Sequence, residues 1–194
     1  LYDAPVPHFL ELEEVGTRIE LRAAVIGFRQ LHAARRHPEW GLGLTPIGIN
    51  GTTLTKDGHV VFARRAAFVS QDPGRWELAP SGHLSPPFGF LGQWRHEPDL
   101  LAEFEEELGM KRSRVTAVHT LGVLRDNWSP MLDICCLLRV NALADEIQSA
   151  MVALAPRQEY AEAAFVPLDQ AQVFAAAREL TPSTRSLLTL LPKA

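Results

Sequence analysis

Three glutamates, Glu103, Glu106 and Glu107, stand within one short stretch from Pro98 to Met110, and carboxylates at this spacing suit a hard divalent cation. On a helix turning about 100° per residue they fall within roughly 100° of arc, while Leu100, Leu101, Phe104 and Leu108 fill the adjoining arc. Like charges so placed repel by a few tenths of a kcal/mol per pair, roughly, unless a cation sits between them. The same pattern also describes an ordinary amphipathic helix with a solvated acidic face, and the helix taken alone leaves both readings open. Glu105 falls on another face and serves as an internal negative control.

The elements that must position these acids can be read from their punctuation. Pro98 suits a first helical turn and Gly109 the left-handed residue that ends one. Upstream, Thr45 to Thr55 predicts a strand, Asp57-Gly58 a tight turn and Val60 to Arg65 a returning strand. Trp76 to Pro80 predicts a short strand end, and the Pro/Gly-rich stretch from His83 to Glu97 a loop carrying aromatics. Val115 to Arg125 and Met131 to Val140 predict two strands around the loop 126–130, with the aliphatic runs of a buried sheet. Asn141 is expected to cap a helix running to Leu154, Ala163 to Val166 to form a strand, and helices near 169–180 and 182–191 to close the chain.

At the N-terminus, Leu1 to Val15 reads as an edge strand or a peripheral arm. From Gly16 to Arg36 the apolar residues Ile19, Leu21, Ala24, Ile26, Phe28, Leu31 and Ala34 predict an amphipathic helix that His37-Pro38 stops. The expected organisation is an extension over 1–40 and a main domain over 41–194, with the N-terminal helix a candidate homodimer contact.

The chain has 194 residues, 46% of them hydrophobic, enough for one well-buried core. With a net charge of -4 and no basic run longer than Arg35-Arg36 or Arg64-Arg65, nucleic acid is not the expected partner, though small anionic ligands remain open. Apolar runs such as Ala23 to Phe28 and Ile134 to Leu138 are far too short to span a bilayer, so a soluble, cytoplasmic protein without a membrane partner is expected. The only cysteines, Cys135 and Cys136, are adjacent in a predicted strand and should point to opposite faces without pairing.

Read together, Trp76-Glu77-Leu78-Ala79-Pro80-Ser81-Gly82 and Ala102-Glu103-Phe104-Glu105-Glu106-Glu107-Leu108-Gly109-Met110 resemble the two ends of the Nudix box, G-x5-E-x7-R-E-U-x-E-E-x-G-U with U aliphatic. The second half matches at every fixed position except the arginine, which is Ala102. The first half is stretched: Gly82 and Glu103 are 21 positions apart, six more than in the pattern, and the place of its first glutamate is taken by Phe88. Glu97 could stand in for that glutamate, or the added residues, including Phe88, Phe90 and Trp94, could enlarge a loop beside the site. The hairpin ending in Arg64-Arg65 and the segment Glu162 to Asp169 also resemble family elements, so the likeness spans about residues 45 to 180.

The resemblance implies an α/β fold, an α/β/α sandwich with a mixed central sheet. It implies hydrolysis of a nucleoside diphosphate linked to another group, with Mg2+ or Mn2+ and a water that attacks phosphorus. By position, Glu106 and Glu107 would be metal ligands, Glu103 a ligand or the base that orients water, and the Gly82 region a backbone carbonyl ligand. The family's arginine pairs with the glutamate after it, which Ala102 cannot do. Either another cation replaces it, with Arg95, Arg65 and Arg125 as candidates, or activity is weakened and the chain is a Nudix-like ligand-binding module. A box with an expanded first half is similar to those of nucleotide-sugar hydrolases of the UDP-glucose type.

Further candidates follow from position. Arg64 and Arg65 alternate across a strand, so at most one faces a phosphate; Arg125 and Trp128 are candidates to hold the substrate, Trp128 by stacking on a base or else by packing its loop. Asp126, Glu159 and Glu162 are candidates for an additional ligand or base. His83 and His96 flank the expanded loop, but the seven histidines lack the spacing of a zinc site.

Overall fold

A computed structural model of the chain describes residues 3–86, 94–125, 131–154 and 159–192. The N-terminal region departs from expectation. In place of one helix over 16–36, strands β1 (Pro5–Val15) and β2 (Arg18–Gly27) form an antiparallel hairpin, and only Phe28–Arg36 is helical, as α1. Gly16, at φ 62°, makes the reversal that the helical reading ran through. Ile19, Leu21, Ala23 and Val25 also alternate with period two, and the packing of Leu21, Ala23 and Phe9 against the core settles that period as a strand. Of the two readings of the first segment, the strand is the one found. It is tied to the main sheet where the Phe9 N–H donates to the Thr45 carbonyl at 2.8 Å.

The central sheet begins with β3 (Ile47–Leu54) and β4 (His59–Arg65), joined by a turn in which Gly58 takes φ 81°, as the Asp-Gly pair predicts. The next segment changes partners midway. As β5 (Trp76–Leu78) it pairs with β4, and as β6 (Ser81–His83) it pairs with β3, so the predicted loop begins one residue later than expected. Between them, Gly51 and Thr53 donate backbone N–H groups to Pro80 and Ala79 at 2.7 and 3.0 Å. This crossing brings Glu77, Ser81 and Gly82 under the acidic helix, α2 (Glu97–Leu108). Pro98 lies in its first turn and Gly109, at φ 68°, ends it.

The antiparallel pair β7 (Val115–Arg125) and β8 (Leu132–Val140) completes one side of the sheet, with β8 running parallel to β3. Helix α3 is Ala144–Leu154; its start is not capped by Asn141, because Glu146 accepts the Leu143 N–H at 2.8 Å and Asp57 the Ala144 N–H at 3.1 Å. Strand β9 (Tyr160–Pro167) pairs with the far side of β4. The predicted helix near 169–180 is shorter, a single 3-10 turn followed by α4 (Ala171–Ala176), and α5 (Pro182–Leu187) follows a Thr181 cap.

Both faces of this mixed sheet are covered, which makes an α/β/α sandwich. On one face Ile134, Cys136 and Leu138 of β8 join Leu100, Phe104 and Leu108 of α2 and Ile147 and Met151 of α3. On the other, Cys135 and Leu137 join Ala171, Ala175 and Leu187 of α4 and α5. The two cysteines are free and buried on opposite faces. Full burial of a side chain such as Phe104 stabilises by about 1.5–3 kcal/mol, and truncating it to alanine would cost about 3–5 kcal/mol, because the helix that bears the acids would lose its anchor.

Candidate active site

Burying Leu100, Phe104 and Leu108 turns the acidic arc of α2 towards β6 and β9, and the three glutamates meet three different environments. Glu103 lies against Gly82 so closely that a methyl group there would collide with its Oε1 and Cδ, which explains the glycine. Its carboxyl, pushed up to about 7 by burial and by the charges of Glu106, Glu159 and Asp99, is partly held down by the His83 backbone N–H. Glu107 is buried, and its Oε2 accepts the Ser81 N–H at 2.9 Å and the Tyr160 hydroxyl at 2.8 Å. Burial raises its carboxyl well above the ordinary range, and Glu77 and Glu103 add to the rise. Glu106 is exposed.

A cavity of about 150 Å³ opens beside Glu103 and is lined among others by Arg65, Glu77, Gly82, His83, Asp133 and Glu159. Of the residues predicted from sequence, it gathers Glu103, Gly82, Arg65, His83 and Glu159; Glu106 and Glu107 do not line it. Arg65 donates from Nη1 to Glu77 at 2.6 Å and from Nε to the Gln71 carbonyl at 2.9 Å. Arg64 turns the other way and pairs with Glu162 at 2.9 Å. Arg125 stands over the Phe9 ring, 5.7 Å from its centroid, and does not line the cavity. His96 bonds Thr120 at 2.9 Å, Glu97 begins α2, and Trp94 packs against the core. Asp126, Trp128, Phe88 and Phe90 lie outside the described residues.

Among the described residues no lysine or arginine forms an ion pair with Glu103, Glu106 or Glu107, so none of Arg95, Arg65 and Arg125 stands directly in the place of an arginine at 102. Glu105 pairs with Arg112 and does not line the cavity. Sequence reasoning passed over Glu77, Ser81 and Tyr160. The one available signal was a charged residue inside the apolar run Trp76 to Pro80, since a buried acid needs a partner. Here that partner is Arg65.

No family model and no curated protein sequence matches the chain. Solved structures do. A Deinococcus radiodurans protein superposes with a TM-score of 0.54 at 14% identity, covering 74% of this chain and 80% of its own. The MutT protein of Methanosarcina mazei gives 0.50 at 15% identity over 74% and 89% of the two chains. A Nudix hydrolase of Alicyclobacillus acidocaldarius gives 0.50 at 14% over 75% and 90%. The fold is the Nudix fold. The mixed sheet flanked by helices on both faces is thereby the Nudix architecture that the two halves of the box implied.

Whether this Nudix fold suits a divalent cation can be judged from its donors. The carboxylate of Glu103 cradled over Gly82 and the exposed carboxylate of Glu106 are hard oxygen donors of the kind Mg2+ and Mn2+ take. Among the described residues no three His, Cys, Asp or Glu side chains already converge as a metal cluster. The donor chemistry fits an ion that completes its shell with water and phosphate oxygens.

Proposed function

We propose that the chain is a divalent-metal-dependent hydrolase that cleaves the pyrophosphate bond of a nucleoside diphosphate linked to another group, a nucleotide sugar being the narrower case. The observation that carries this reading is the Glu103 carboxylate laid over Gly82 at the edge of a cavity that Arg65 also lines. In this reading Glu106 and Glu107, with the Gly82 backbone, hold Mg2+ or Mn2+, Glu103 is either a further metal ligand or the base that orients water, and residues 1–40 are an extension to a catalytic unit over 41–194. Bound there, the ion would neutralise charge on the transferred phosphoryl group and lower the pKa of a bound water.

The chain's own groups divide the remaining work. Arg65, with Nε and Nη1 engaged by Gln71 and Glu77, keeps Nη2 for a phosphate oxygen. Glu103, titrating at about 7, can accept the proton of an attacking water near neutral pH. The cavity, at about 150 Å³, is smaller than the roughly 300–1,000 Å³ of sites that enclose a whole small ligand, so it suits the phosphates and leaves the rest of the substrate outside. Two buried, unpaired thiols are in keeping with a cytoplasmic setting.

A second reading, a binding module without turnover, draws on the two hydrogen bonds that already occupy Glu107 Oε2. A panel of nucleotide sugars assayed with Mg2+ and with Mn2+ separates them. Release of a nucleoside monophosphate and a sugar phosphate is expected; tight binding with no phosphate-containing product would favour the module.

A further inference from the structure

Helix α2 carries Glu97, Asp99, Glu103, Glu105, Glu106 and Glu107 but no lysine or arginine, and position 102 is alanine. Relief of its charge must come from outside the helix. For Glu105 it comes from Arg112. At the buried end hydrogen-bond donors take the place of a cation, in a chain of groups centred on Ser81. The Ser81 hydroxyl donates to Glu77 Oε1 at 3.1 Å while its backbone N–H donates to Glu107 Oε2 at 2.9 Å. Tyr160, itself buried, donates its hydroxyl to the same Glu107 oxygen at 2.8 Å, and Arg65 closes the chain on Glu77 at 2.6 Å. Among the described residues Arg65 is the one cation joined to this cluster.

Two donors on one oxygen, Oε2, fix the Glu107 side chain in a single orientation. Buried donors of this kind set the affinity of a carboxylate for a cation, because they decide where its remaining lone pairs point. We propose that Ser81, Tyr160 and the Arg65–Glu77 pair are positioning residues that hold Glu107 for a divalent cation, with Arg65 offsetting the charge of Glu77 and fixing it where it holds the Ser81 hydroxyl. This rests on reading the acidic face as a cation site.

The test is a Mn2+ titration of the full chain, followed by the electron-paramagnetic-resonance signal of free aqueous Mn2+, with circular dichroism to confirm folding. Tyr160→Phe, which keeps the ring and removes the hydroxyl, should weaken Mn2+ uptake about tenfold. Ser81→Ala, which leaves the N–H in place, should weaken it about threefold, and it decides the matter should Tyr160→Phe fail to fold. Arg65→Lys should keep more affinity than Arg65→Met, a rescue that a purely structural role does not predict. A folded Tyr160→Phe or Ser81→Ala protein with wild-type Mn2+ affinity overturns the proposal alone. A wild-type chain that takes up no Mn2+ overturns the cation site itself, and the proposal with it.

Discussion

Glu105 and its neighbours Glu103 and Glu107 share one helix and one residue type, yet they are held at opposite ends of the carboxylate range. Glu105 accepts the Arg112 backbone N–H at 2.8 Å and its guanidinium besides, and these contacts hold its carboxyl below the ordinary value. Glu103 and Glu107 are packed against β6 with backbone and hydroxyl donors but no directly paired cation, and burial pushes both up. An acid that owns its cation is satisfied and structural. Acids folded together without one leave a deficit of positive charge that a ligand can fill.

Substituting the two kinds of acid should therefore give very different results. The largest effect is expected from Glu103→Gln, which should lower metal-dependent turnover about 100-fold or more at saturating substrate. Full turnover in that variant would remove the acidic face from the chemistry. Gly82→Ala comes next, because its methyl group must displace the Glu103 carboxylate; turnover should fall about tenfold with the circular dichroism unchanged.

The pH dependence of stability sharpens the same contrast. Glu103 titrates higher folded than unfolded, so between about 4.5 and about 7 the folded state binds more protons and stability declines as pH rises. Between pH 5 and pH 8 the metal-free protein should thus lose more Tm than Glu103→Gln does, a difference that Mg2+ reduces. The same Tm change in wild type and Glu103→Gln over this range would contradict the burial of Glu103. The smallest effect is expected for Glu105→Gln, with turnover within about twofold of wild type.

The acidic helix was legible because its signals are local: Pro98 and Gly109 mark its ends, and the glutamate spacing its face. The Asp-Gly turn and the buried aliphatic run of β8 were legible for the same reason. The hairpin of β1 and β2 was not, since its apolar residues satisfy periods of both two and 3.6 and only tertiary packing chooses between them. Glu77 and Tyr160 were hidden for a different reason. Their roles depend on partners 12 and 53 positions away, Arg65 and Glu107, and no local pattern announces such a pairing.

The parallel pairing of β3 with β8 has a kinetic consequence. Ile47 partners Leu132, which lies 85 positions further along the chain, and closing a loop of that length costs about 4 kcal/mol of chain entropy before any contact rewards it. Glu77, Gly82, Glu103 and Glu107 all lie inside that loop. Tyr160, which holds Glu107, lies beyond that loop, so the full setting of Glu107 needs contacts from both sides of the closure. The free energy of bringing them together should therefore appear mainly in the unfolding rate, so that Mn2+ slows unfolding far more than it speeds folding.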